Sequence, residues 1–271
     1  MADSPNPDIV LVEDVGRVRL ITLNRPEKAN AFNIELYERA TEALADAATD
    51  DAVSVVVFTG AGRVFSGGVD ITDMTSGIPD DGQPVAPPTA DTERSDAGGV
   101  FDAYVGGLQT FPKPLMAAVN GAAVGIGFTM LLHCDLVLMS ENARLRAPFT
   151  RMGVAPEAGS SFLLPRRMGR QQAALSLFTS DWILPEQAVA HGLAVTVCGA
   201  DTLIADALEL AAQITEHPLP SLMATKRLMI VADDEDIRHA RELEGQAFAH
   251  LLRLPNARDR VASQLDKAPG A

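Results

Sequence analysis

Short unbroken apolar runs alternate with longer segments of helical spacing along most of this chain. Residues 18–23, 53–59, 115–119 and 135–139 are runs of five to seven mostly apolar residues, 53–59 the richest in β-branched ones, each ended by Gly, Asn or a polar residue. Runs of this length and type predict strands buried on both faces. Between them the period changes. Asn33 can cap a helix to about residue 48, whose Leu36, Ala40, Ala43, Leu44 and Ala47 share a face. Residues 9–13 and 18–23 flank Asp14-Val15-Gly16 and predict a hairpin. Residues 143–147 and 193–197 are further strand candidates, and helical patterns cover 101–110, 160–168, 170–179 and 185–191. Past residue 201 the pattern is helical throughout: 203–214, 219–231, 235–252 and 257–267. The fold class expected is therefore α/β, with a body over 1–200 and a helical C-terminal region over 201–271.

Two interruptions carry candidate chemistry. In Lys113-Pro114 through Asp135, the run 115–119 leads through Asn120-Gly121 and Gly125-Ile126-Gly127 into an expected helix over 128–133. In 64–73 a second strand feeds Gly67-Gly68, then Val69 and Asp70. A glycine-rich turn into a helix presents unpaired backbone N–H groups that suit an oxyanion or phosphate. The same glycines would also serve tight strand–helix packing, and at this point both readings stand. Residues 76–99, rich in Pro, Asp, Gly, Ser and Thr, are expected to form a loop, as are 148–159.

Glu157 lies in the second of these, among Val154, Ala155, Ala158 and Phe162. Apolar surroundings raise a carboxylate's proton affinity and suit it to proton transfer near neutral pH. A first-turn acid stabilised by a helix dipole would fit the same position. Other motifs fail. Position 130 is Met, so Gly125 and Gly127 do not complete a dinucleotide fingerprint, and no Gly-Lys-Ser/Thr occurs. The five histidines show no ligand spacing, so no metal site is expected. Ser160 and Ser161 lack a nucleophile-elbow context, and helix capping accounts better for at least one of them.

Apolar residues make up 47% of the 271, enough for a large core. A net charge of −14 argues against nucleic acid or an anionic membrane as partner, while leaving room for an anionic ligand in a local cationic pocket. Cys134 and Cys198 are expected as buried thiols. The start, MADSPNPD, has no basic or apolar leader pattern, and no apolar run is long enough to span a membrane, so a cytoplasmic protein is expected.

In sum these stretches resemble the crotonase family, the enoyl-CoA hydratase/isomerase superfamily. The resemblance rests on Asn24-Arg25-Pro26-Glu27-Lys28-Ala29-Asn30-Ala31, Phe65-Ser66-Gly67-Gly68-Val69-Asp70, Lys113-Pro114 to Gly127, Cys134-Asp135-Leu136, Gly153-Val154-Ala155-Pro156-Glu157, and Glu186 to Leu193. It implies a spiral of ββα units with a helical C-terminal trimerisation region, assembling as a homotrimer or a dimer of trimers. It implies acyl-CoA thioester substrates, with coenzyme A part of the substrate and no separate cofactor.

By motif position, Val69 and Ile126 would supply the two oxyanion-hole amides. Lys28, Ala29, Asp70 and Ile71 would line the CoA site, with Lys267 near a phosphate. Gly67, Gly68, Gly125, Gly127, Thr129 and Phe149 would complete the substrate site. Hydratases of the family place glutamates at the positions of Thr129 and Phe149, and neither residue here can take a proton from water. Glu157 instead matches the acid of the Δ3,Δ2-enoyl-CoA isomerases, in Pro156-Glu157-Ala158-Gly159-Ser160-Ser161. The expectation is thus an isomerase with Glu157 as its proton shuttle. The rivals are hydration or another reaction of the fold, and a non-catalytic acyl-CoA binder.

Overall fold

The computed structural model describes residues 9–70, 96–255 and 257–262. Strands β1 (Val10–Val15) and β2 (Val18–Leu23) form the expected hairpin, closed at Gly16, whose φ of 62° suits glycine. Helix α1 (Ile34–Thr49) follows, and the Asn33 side chain caps it by accepting from the Leu36 amide at 2.9 Å. Then come β3 (Val55–Gly60), β4 (Val64–Ser66), α2 (Asp96–Thr110), β5 (Leu115–Val119), β6 (Ala122–Val124) and α3 (Ile126–Thr129). Next are β7 (Leu136–Ser140), β8 (Arg144–Arg146), α4 (Phe149–Met152), α5 (Ser160–Met168), α6 (Arg170–Thr179), α7 (Pro185–Ala190) and β9 (Thr196–Cys198). Helices α8 (Leu203–Thr215), α9 (Leu219–Ile230), α10 (Asp234–Leu252) and α11 (Ala257–Ala262) end the described chain.

The strands sort into two sheets. One has the order β1-β2-β3-β5-β7-β9, parallel apart from the hairpin, and the other is a parallel β4-β6-β8 sheet. Chain order alternates between them, so each turn of the spiral lays one strand in the large sheet and the next in the small one. This is the ββα spiral that the resemblance implied. It explains the continuous apolar runs. Val56 and Phe58 of β3, with Leu115, Ala117 and Val119 of β5, face one core, whereas Val55, Val57, Met116 and Ala118 face another. The second core is covered by Leu203, Ala207 and Ala211, one stripe of α8.

Five expectations change. The segment 76–99 is not all loop: α2 begins at Asp96, because Tyr104, Val105 and Leu108 bury against the core and carry the weak helix former pair Gly98-Gly99 with them. The helix expected over 128–133 starts earlier, at Ile126, and tightens into a 3-10 turn over Met130–His133 before Asp135 is drawn to the sheet by its amide's bond to Leu115 O. β6, three residues long, was hidden by Asn120-Gly121. The turn α4 occupies part of 148–159. Finally, β9 spans Thr196–Cys198 rather than 193–197, because the Leu193 and Ala194 amides fold back onto Ala188 O. Cys134 and Cys198 are free and buried. Among the described residues no helix is long and apolar enough to cross a membrane.

Candidate active site

The neighbouring parallel strands β4 and β6 end side by side, so their glycine turns meet. Gly68, at φ 97°, passes so close to β6 that a Cβ on it would stand 2.9 Å from Val124 O and 3.8 Å from the Gly125 Cα. Gly125, at φ 52° and ψ −124°, has a backbone that L side chains avoid. Gly127 lets α3 press on β4, since a Cβ there would stand 2.7 Å from the Ser66 Cβ. Of the two readings of these glycines, close packing is thereby realised, and the packing itself brings the two turns together.

The amides follow from this placement. Phe32 bridges to the first turn: its amide donates to Gly68 O at 2.7 Å and its carbonyl accepts from the Asp70 amide at 2.8 Å. The bridge skips the Val69 amide between them. Ile126 is the first residue of α3, a position whose N–H has no partner within its own helix. The Ser66 hydroxyl accepts from the Gly68 amide at 3.2 Å and donates to Asn30 O at 2.9 Å, pinning the first turn.

Residues 25–31 form the adjoining corner. Buried Asn30 accepts from the Arg25 amide and donates to Ala61 O and Val64 O. Ala29, left-handed at φ 52°, offers its carbonyl to the Gly67 amide at 2.8 Å, and the Lys28 side chain is exposed beside it. Asp70 faces the Arg25 guanidinium at 3.5 Å. The structure thus gathers Lys28, Ala29, Gly67, Gly68, Val69 and Asp70 along one rim and Gly125, Ile126 and Gly127 along the other. Ile71 and Lys267 lie outside the described residues.

Thr129 and Phe149 are buried. The Thr129 amide bonds back to Gly125 O, and its hydroxyl has no partner among the described residues. Glu157 stands across from the second turn. It is half-buried, and a Cβ on Gly125 would lie 4.0 Å from its Oε1. Burial, and then the charge of Glu244, push its carboxyl up to about 8. It is not a first-turn acid: α5 begins three residues later, at Ser160, with Gly159 as its N-cap, and no side chain of its own caps it.

Neither Ser160 nor Ser161 caps that helix with its hydroxyl, which corrects the expectation for them. The α5 amides are met from a distant helix, by Glu244 of α10, which accepts from the Gly159 and Ser161 amides at 2.7 Å each. Sequence reasoning missed Glu244, and also Tyr37 of α1. The Tyr37 hydroxyl is raised well above its ordinary value by burial and then by the nearby Glu157 charge. Tyr37 lay in view, three residues before Ala40 on the buried stripe of α1. Glu244 gave one signal, an acid seven residues after the apolar Ile237 on the same helix face. Among the described residues no group of three or more His, Cys, Asp or Glu could hold a metal.

A family model described as enoyl-CoA hydratase/isomerase matches residues 13–263. Among curated relatives, a 2,3-dehydroadipyl-CoA hydratase of Escherichia coli is 32% identical over 95% of this chain and 96% of its own length. An enoyl-CoA delta isomerase 2 of Rattus norvegicus is 34% identical over 87% of this chain and 58% of its own. Among solved structures, an enoyl-CoA hydratase/isomerase from Pseudoalteromonas atlantica superposes with a TM-score of 0.83 at 32% identity, covering 97% of this chain and 98% of that one.

Proposed function

The chain belongs to the enoyl-CoA hydratase/isomerase family, and we propose that within it this enzyme is an isomerase that converts 3-enoyl-CoA thioesters to 2-trans-enoyl-CoA. The observation that supports this reading is Glu157, half-buried beside the Gly125 turn with its carboxyl raised to about 8. The thioester carbonyl binds between the Val69 and Ile126 amides. Glu157 takes a proton from C2, the electron pair moves onto the thioester oxygen, and the dienolate is held by the two N–H groups. The same carboxyl, now protonated, returns its proton to C4, and the double bond settles between C2 and C3. Each amide contributes about 3 kcal/mol to the transition state. Lys28, Ala29, Asp70 and Ile71 line the CoA portion, with Lys267 near a phosphate, and the protein works as a homotrimer or a dimer of trimers.

Hydration is the second reading, favoured by the near full-length likeness to a 2,3-dehydroadipyl-CoA hydratase. It needs a group to activate water, and Thr129 and Phe149 supply no acid where the family's hydratases carry theirs. A non-catalytic acyl-CoA binder is the third. Assaying 3-enoyl-CoA with the wild type and Glu157→Gln separates them. Isomerisation by the wild type that falls at least about 1,000-fold in the variant supports the isomerase. Turnover that survives the substitution points to another reaction of the fold. Thioester binding without any turnover points to a binder.

A further inference from the structure

The turn that carries Glu157 is held from outside. Ala158 and Gly159 are both left-handed, at φ 59° and 74°. Two consecutive residues in that region, one of them not glycine, persist only where the surroundings enforce them. Three hydrogen bonds do so. The ring Nε2 of His133 lies 2.8 Å from Ala158 O. Burial keeps that ring neutral, with its pKa lowered to about 4, and because the carbonyl oxygen can only accept, Nε2 carries the proton and donates. On the other side Glu244 sets Oε2 against the Gly159 amide and Oε1 against the Ser161 amide, both at 2.7 Å, across 85 and 83 positions of sequence.

One carboxylate therefore satisfies two of the amides at the start of α5, one with each of its oxygens. Helix α10 fits closely there: a Cβ on Gly159 would stand 3.0 Å from Ile237 Cγ2. The same face of α10 grips α2, with Arg241 Nη1 donating to Gln109 Oε1 at 2.9 Å and Gln109 Nε2 donating to Asp234 Oδ1 at 2.8 Å. The stripe Ile237, Arg241, Glu244 thus ties the Glu157 turn to a second helix of the body.

We propose that Glu244 is a positioning residue, locking from α10 the left-handed turn that aims Glu157 at the two glycine bends. Its catalytic consequence rests on the isomerase reading of Glu157, while its structural content does not. The charged and titratable groups concerned are few. Glu244 faces Arg241 of its own helix, Ser161 of α5 and Glu157. Glu157 also faces Tyr37 of α1. His133 faces Arg241, Arg167 and Lys226. Because Glu244 is a like charge beside Glu157, it both fixes that carboxyl and favours its protonated form.

The test uses the full chain and Glu244→Gln. The Glu157 carboxyl is titrated without substrate by infrared difference spectroscopy, its band assigned by loss in Glu157→Gln. We expect a wild-type midpoint near 8 to fall by about one pH unit in Glu244→Gln. We also expect kcat for 3-enoyl-CoA to fall about 10- to 100-fold with KM changed less than about threefold. A folded Glu244→Gln protein whose Glu157 midpoint does not move would overturn the proposal.

Should that variant not fold, amide hydrogen exchange in the wild type decides. The Gly159 and Ser161 amides must be protected, and exchange as fast as in an open loop removes the clamp. If Glu157→Gln is fully active, the isomerase reading fails, yet titration and exchange still judge the clamp.

Discussion

At the scale of single residues, the Glu157 carboxyl trades stability for chemistry. With its pKa near 8 in the fold against 4.5 unperturbed, it binds its proton more tightly folded than unfolded. The sign follows: its contribution to stability falls as pH rises from about 4.5 to 8, and stays lost above. Acting as a base requires the ionised form, of which only about a tenth is present at pH 7. We therefore expect kcat/KM for isomerisation to rise through pH 8 and level off above, and Glu157→Gln to melt a few degrees higher than wild type at pH 8.5 with no difference near pH 4. Stopped-flow rates and calorimetry across that range check both, and an activity limb near pH 4.5 would contradict the first. The perturbed acid was legible in the sequence because its apolar neighbours Val154, Ala155 and Ala158 adjoin it. Its second cause was not, since Glu244 reaches it across more than eighty positions, and no local pattern encodes that pairing.

Elements decide whether the two proposed oxyanion donors meet. β4 and β6 are three residues each, too short to register as strands by alternation, yet their pairing sets the whole geometry. What the chain displays locally is the punctuation: Gly67-Gly68 and Gly125-Ile126-Gly127 mark where backbone must come close. What it conceals is which strand each turn abuts, because β4 and its neighbour β6 are nearly sixty residues apart. The same gap explains the late start assigned to α2, whose glycines lower its local helical signal while its buried face holds it against α1. Gly68→Ala tests the arrangement. The new methyl meets Val124 O at 2.9 Å on a backbone of φ 97°, a cost of about 2–4 kcal/mol from strain and clash. We expect a folded but weakened protein whose kcat falls by two orders of magnitude or more, because the turn that presents the Val69 amide must move. A variant with wild-type kcat would mean that this amide does not stabilise the transition state.

For the molecule as a whole, the question is what covers the end of α9. Lys226 points inward there: it is buried, donates to Lys113 O at 2.9 Å and pairs with Asp135 Oδ2 at 2.8 Å, while Asp135 in turn accepts from the Leu115 amide at 2.7 Å. This chain of bonds locks the helix to the start of β5. Leu228, two positions on, must then turn away from the body; it and Met229 are 77% and 67% exposed, with Val231 beyond them also exposed. Contiguous apolar side chains held outward suit an interface, and in the proposed assembly further copies of this chain would cover them. A net charge of −14 per copy opposes such contact, so the apolar face has to supply the affinity. Sedimentation of the full chain should give three or six times the 28.7 kDa chain mass, and Leu228→Asp with Met229→Asp should shift it to the monomer. Each substitution places a carboxylate where it must be desolvated on association, and like charges would face one another across a symmetric contact. The Lys226 anchor lies on the opposite side of the helix from Leu228, and both substituted side chains are exposed, so the monomeric variant should keep its fold. A wild-type chain that sediments at 28.7 kDa would leave this face without its partner and remove the trimer from the proposal.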